Sequence, residues 1–291
     1  MFKGIIPALV TPINEKGEIN SPALKKLVSD LMNGGAEGFY LCGATGEGLN
    51  LTTLQHKEMV RQTIEIVGGR VPCIVHVART VYSEMIELAQ YAESVGATAI
   101  SAIPPIFFKY DEDEIYSYYE RLAASVNIPI VIYNSPAAAV AFSNDLLDRL
   151  FSIPNLTSIK WTNSNYATVM STKARIPEAN FINGPDEMLL QGLCAGCDAG
   201  IGTTYNFLLL EIKGIYNAFH THDMKKAQEL QTYVARVCEV FKGAGAIMTA
   251  KFILSRFGYD VYYPIHPMRK LTEKEERGII TYLQGVGMDI K

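Results

Sequence analysis

The sequence PIVIYNSP (Pro129–Pro136) is followed, after an amphipathic segment holding Leu146, Leu147 and Leu150, by LTSIKWT (Leu156–Thr162). PIVIY is continuously apolar, as a parallel strand buried on both faces should be, and the leucine spacing is helical. Strand, helix and strand in that order form the unit of a parallel sheet with crossover helices. Working outward, six more strands are expected: GIIPALVTP from Gly4, GFYLCG from Gly38, VPCIVHVA from Val71, AISAIPP from Ala99, ANFINGP from Ala179 and DAGIGTTYN from Asp198. Helices opened by Ser21, Thr52 and Ser143 are among those that separate the strands. Eight such units ending near His222 predict an α/β fold, a (β/α)8 TIM barrel over residues 1–222. Three further helices, roughly 223–241, 245–257 and 272–286, follow without a Gly- and Pro-rich linker. Residues 223–291 are therefore expected to pack on the barrel as a helical appendage within one structural domain.

The chain has 291 residues, 48% apolar and 19% charged, with a formal net charge of -4. No run of Lys or Arg offers a footprint for nucleic acid or anionic lipid, so a small-molecule partner is expected. The opening MFKGIIPALVTPINEKG is interrupted by Pro7 and Pro12 and reads as a strand rather than a signal. No apolar segment reaches the roughly 20 residues that cross a bilayer, and five cysteines suit a reducing compartment; the expected location is cytoplasmic.

Active sites of such barrels form at the C-terminal ends of the strands. Four ends carry unusual polar residues: GATGEG at 43–48, YNSP at 133–136, KWTN at 160–163 and GIGTTYN at 200–206. Every Lys other than Lys160 falls in a segment read as helix, turn, loop or chain end, whereas Lys160 interrupts a buried strand. A buried ammonium either pairs with an acid or gives up its proton, and a neutral amine attacks carbonyls to form a Schiff base. The alternative is a Lys that snorkels from the strand end or pairs with Glu47. Alternation places Ser158, Lys160 and Thr162 on one face, and Val131, Tyr133 and Ser135 on one face of the preceding strand. Tyr133 can thus meet Lys160 and shuttle protons, or be a core Tyr with a satisfied hydroxyl. The glycines of GATGEG let backbone N–H groups approach an anion, with a carboxylate the best fit. Cys194 and Cys197 have redox spacing but lie after a helix and before a strand, and His220 and His222 lack partners at zinc-ligand spacing; both pairs are read as structural, with no metal expected.

Taken in order, GATGEG, IYNSP, IKWT and GPDEMLLQGLCAGCDAGIGTTYN resemble the dihydrodipicolinate synthase and N-acetylneuraminate lyase superfamily, over nearly the whole chain. The stretch from Gly184 to Asn206 looks most like its N-acetylneuraminate lyase branch. The resemblance implies Lys160 as Schiff-base nucleophile and Tyr133 as proton shuttle. It implies that Thr45, with the backbone of Ala44 and Thr45, holds a 2-oxo acid carboxylate, and that Thr162, Gly184, Asp186, Glu187 and Thr203 bind the sugar chain. The implied reaction is cleavage of N-acetylneuraminate to pyruvate and N-acetylmannosamine with no cofactor, by a homotetramer. Several positions depart from the family pattern. Ala44 stands where Ser or Thr is usual, PIFFKY offers Phe107, Phe108 and a displaced Tyr110 where many members lend a Tyr to a neighbouring subunit, and Trp161 with Asn163-Ser164-Asn165 replaces a Gly-Asp turn and is expected to alter the pocket. Ala138 stands where dihydrodipicolinate synthase needs an Arg, which argues against that activity. Aldolases for 2-keto-3-deoxy sugar acids, or a non-catalytic sugar-acid-binding barrel, are the other readings.

Overall fold

A computed structural model describes residues 1–138 and 140–291. Eight strands, β1 (Gly4–Pro7), β2 (Phe39–Leu41), β3 (Cys73–His76), β4 (Ala99–Ala102), β5 (Ile130–Asn134), β6 (Leu156–Trp161), β7 (Asn180–Asn183) and β8 (Ala199–Gly202), form one parallel sheet in the order β1-β8-β7-β6-β5-β4-β3-β2. The seam between β1 and β2 is closed by the parallel bridge of Ala8 with Tyr40 and by Leu9 N–H donating to the Tyr40 carbonyl at 2.9 Å. The sheet is therefore a closed barrel, which leaves no strand edge unpaired.

Helices α1 (Ser21–Asn33), α2 (Thr53–Val67), α3 (Tyr82–Ser94), α4 (Glu112–Ala123), α5 (Asn144–Phe151), α6 (Tyr166–Arg175), α7 (Leu189–Cys194) and α8 (Leu209–His220) alternate with the strands. Thr52 caps α2 in a reciprocal capping box with Gln55, and Ser143 caps α5 by accepting from Leu146 N–H. For α1 the cap is Asn20 rather than Ser21: its side chain accepts from Ala23 N–H while its amide donates to Asp260. A residue held from both sides outcompetes the neighbouring hydroxyl. Beyond the barrel come α9 (Met224–Cys238), the one-turn α10 (Phe241–Ala244), α11 (Ala246–Arg256) and α12 (Glu273–Gly285). The expected helix from 223 to 241 thus ends three residues early, and α10 follows after a two-residue turn. Among the described residues no helix is long and apolar enough to cross a membrane.

Two apolar layers follow from strand alternation. Ile6, Ala8, Tyr40, Ile74, Val131, Ile182 and Ile201 fill the barrel interior, while the outward faces meet the helices through residues such as Phe39, Ile132, Ile159 and Phe181. Each fully buried aliphatic or Phe side chain contributes about 1.5–3 kcal/mol from area removed from water. The same alternation directs Tyr133 and Lys160, paired in register across β5 and β6, into the barrel.

Candidate active site

The turn after β2 is built by backbone constraint. Cys42 (φ 55°) and Glu47 (φ 54°) both adopt the left-handed conformation, on either side of Ala44 and Thr45. Such residues cost on the order of 1–3 kcal/mol each and persist only where the surroundings hold them. Here Gly48 N–H donates to the Gly43 carbonyl and Thr11 Oγ1 to the Gly46 carbonyl at 2.6 Å. Any side chain at Gly48 would strike the Cys42 carbonyl, so the turn requires that glycine. Among the described residues the N–H groups of Ala44 and Thr45 donate to no protein acceptor, which leaves a concavity suited to an anion. Ala44 is exposed and Thr45 buried, and Thr45 Oγ1 meets Thr203 Oγ1, at the end of β8, at 2.6 Å.

Lys160 is buried, 6% exposed. Its Nζ lies 4.3 Å from the centre of the Tyr133 ring and 4.5 Å from that of Tyr40. Both rings lie within cation–π distance of Nζ and help to fix the side chain. Glu47, the acid that could have neutralised Lys160, pairs with Lys251 instead. Burial pushes the Tyr133 phenol up, but the Lys160 charge, the largest of the opposing influences, together with smaller polar ones outweighs it and holds the phenol below its usual pKa. A phenol so placed can take up and return a proton beside an amine that can attack a carbonyl.

Thr162, immediately past the end of β6, lines a cavity of about 350 Å³ with Gly184, Asp186, Glu187 and Thr203. Thr203 also lines a second cavity of about 490 Å³ with Ala44 and Thr45. These two cavities, sharing Thr203, bring together candidate residues from the ends of β2, β6, β7 and β8, while Lys160 and Tyr133 lie within the barrel and line neither cavity. Thr162 Oγ1 is buried without a hydrogen-bond partner, and Gly184 must be glycine because a side chain there would collide with it. Asp186 is buried and accepts from Thr204 N–H at 2.6 Å and Thr204 Oγ1 at 2.7 Å. Burial, the largest influence, pushes its carboxyl up to about 6 against those bonds. Glu187 is exposed at the rim.

The model of the dihydrodipicolinate synthetase family matches residues 1–285. The chain belongs to that family. N-acetylneuraminate lyase from Rhizobium meliloti is 30% identical over 274 residues, which cover 94% of this chain and 92% of that protein. A Clostridium difficile structure titled CdNal in complex with mannosamine superposes with a TM-score of 0.93 at 26% identity, covering 98% of this chain and 99% of the other. Dihydrodipicolinate synthase from Bacillus anthracis superposes with a TM-score of 0.94, also at 26% identity, covering 99% of each chain. Like other members of the dihydrodipicolinate synthetase family, the chain is a carbon–carbon lyase of the pyruvate-dependent, Schiff-base aldolase type.

One expectation changes in detail. Trp161 does not reach the cavity: it points away from Lys160, is 2% exposed and stacks edge-on against Phe181 with ring centres 6.0 Å apart. Of the segment that departs from the family pattern, Asn163 and Ser164 do line the cavity. Sequence reasoning misses Tyr40, because GFYLCG is expected there only as a strand, without assigning its residues to inward and outward faces. It also missed Lys251, which is fully buried on α11. The signal was present, since AIMTAKFIL is apolar nearly all round and a helix of that kind is buried on every side.

Proposed function

We propose that the chain cleaves N-acetylneuraminate to pyruvate and N-acetylmannosamine. The observation that carries this reading is the cavity in which Thr162, Gly184, Asp186, Glu187 and Thr203 meet at the barrel end holding Lys160 and Tyr133. The hydroxyls of Thr162, Ser164 and Thr203 and the carboxyls of Asp186 and Glu187 share this cavity with apolar Met188, Phe241 and Ala246, a mixture that suits a polyol, and Ala138 supplies no cation for a second carboxylate. The relatives named as N-acetylneuraminate lyases point the same way.

In this reading the Lys160 amine adds to C2 of the 2-oxo acid, and Tyr133 gives its proton to the resulting hydroxyl, which leaves as water, so that an iminium and a phenolate remain. The free N–H groups of Ala44 and Thr45, with the Thr45 hydroxyl, hold the C1 carboxylate. Tyr133, through that carboxylate, accepts the proton of the 4-hydroxyl, the C3–C4 bond breaks, and its electron pair passes to the iminium as an enamine. The aldehyde departs; protonation at C3 and hydrolysis then release pyruvate and regenerate the amine. The steps need no metal or organic cofactor.

We also place the protein in the cytoplasm as a homotetramer, a reading supported by five free cysteines and by the exposed, edge-to-face pair of Phe107 and Phe108. The test of substrate is pyruvate release from N-acetylneuraminate beside 2-keto-3-deoxy sugar acids, with dihydrodipicolinate formation assayed in parallel. Fastest turnover of N-acetylneuraminate supports the proposal, and preference for any of the others overturns it.

A further inference from the structure

Glu47 and Lys251 form an ion pair with both side chains fully buried. The second Glu47 oxygen accepts from Ile265 N–H at 3.0 Å, and Lys251 Nζ also donates to the Tyr263 carbonyl at 2.8 Å. One side chain from the turn after β2 is therefore bound to helix α11 and to the segment before α12. Removing two charges from water is costly, and an apolar pair would pack the same space without that cost. Glu47 is moreover held left-handed, two residues beyond Thr45, with its N–H donating to the Ala44 carbonyl at 3.0 Å. Burial draws the Lys251 ammonium below its usual pKa against the pull of Glu47.

We propose that Glu47 and Lys251 are positioning residues, through which α11 and the segment around Tyr263 and Ile265 hold the Ala44 and Thr45 N–H groups in register for the substrate carboxylate. The inference rests on the role proposed above for that turn. Neither residue touches the substrate, and the C-terminal helices become part of the binding machinery rather than a covering of the barrel. Misplacing a binding turn by about 1 Å can cost on the order of 100-fold.

The experiment titrates pyruvate against borohydride-trapped adduct in the full-length wild type, Glu47→Gln, Lys251→Met and the double variant, with thermal midpoints measured alongside. The expected result is a pyruvate half-saturation raised at least about tenfold in each single variant, with the trapping rate at saturation changed by less than about threefold. In the double variant, which leaves no unpaired buried charge, the midpoint recovers towards wild type while the half-saturation stays high. Lower midpoints with unchanged half-saturation, or recovery of both in the double variant, overturn the proposal. Should the variants not fold, hydrogen exchange on the wild type decides. Binding effects are reciprocal, so pyruvate must slow exchange in peptides spanning 251–265 as well as 42–48, and no change in 251–265 overturns the inference. Absence of any wild-type adduct would instead count against the Schiff-base assignment to this site.

Discussion

Lys160 and Tyr133 are register partners on adjacent parallel strands, and the Lys160 Nζ lies 4.3 Å from the centre of the Tyr133 ring. The pairing fixes both side chains on the inward face at the same height. Tyr133→Phe keeps the aromatic face and removes only the hydroxyl. Cleavage in that variant is expected to slow by about 10²–10⁴-fold, the usual worth of a positioned acid–base group, with a stability change within about 1 kcal/mol. Single-turnover kinetics and thermal unfolding check this, and unaltered cleavage would remove Tyr133 from the proton path.

The 2.6 Å contact between the hydroxyls of Thr45 and Thr203 joins the turn after β2 to the end of β8. Thr203→Val keeps the shape but leaves the buried Thr45 hydroxyl without that partner, at a cost of about 1–3 kcal/mol. Both the thermal midpoint and pyruvate capture should fall. Loss of sugar binding alone would show that Thr203 acts only on the distal part of the substrate.

Asp186 supplies a pH dependence of definite sign. Its folded pKa of about 6 lies above the ordinary 3.8, so between those values the folded state binds more protons than the unfolded chain. Its contribution to stability is therefore greatest below about pH 4, falls as pH rises towards about 6, and is level above; the loss is on the order of 3 kcal/mol. Asp186→Asn should flatten this component, seen as a smaller fall than wild type in denaturant-derived stability from pH 4 to 6. Parallel curves for the two proteins would contradict the buried setting of the carboxyl. Because Asp186 also anchors Thr204, next to Thr203, its loss is expected to disturb the carboxylate end of the site as well as the sugar end.

Phe107 is 89% exposed and held left-handed at φ 85°, beside Phe108. An exposed, constrained aromatic tip is expected to be covered by a second subunit. Light scattering should give a tetramer for the wild type and smaller species for Phe107→Ser with Phe108→Ser. A wild-type monomer would refute the assembly.

Much of this was legible in the sequence because the signals are local. The eight strands could be read from apolar runs such as PIVIY, and Lys160 stood out as a charge within one of them. The inward phase shared by Tyr133 and Lys160 followed from alternation alone. What could not be read depends on contacts distant in sequence: the Tyr40 face over Lys160, the bond from Asp186 to Thr204, and the choice of Glu47 between Lys160 and Lys251. Only closure of the barrel and the return of α11 over its mouth decide those pairings.

The central claim is tested most directly by borohydride reduction in the presence of pyruvate and, separately, of N-acetylneuraminate, followed by intact-mass measurement and peptide mapping, with Lys160→Ala as the control. A pyruvate-sized adduct on Lys160 from both compounds, absent in a folded Lys160→Ala variant, is the expected result. No adduct from either compound, or normal turnover by Lys160→Ala, would contradict it.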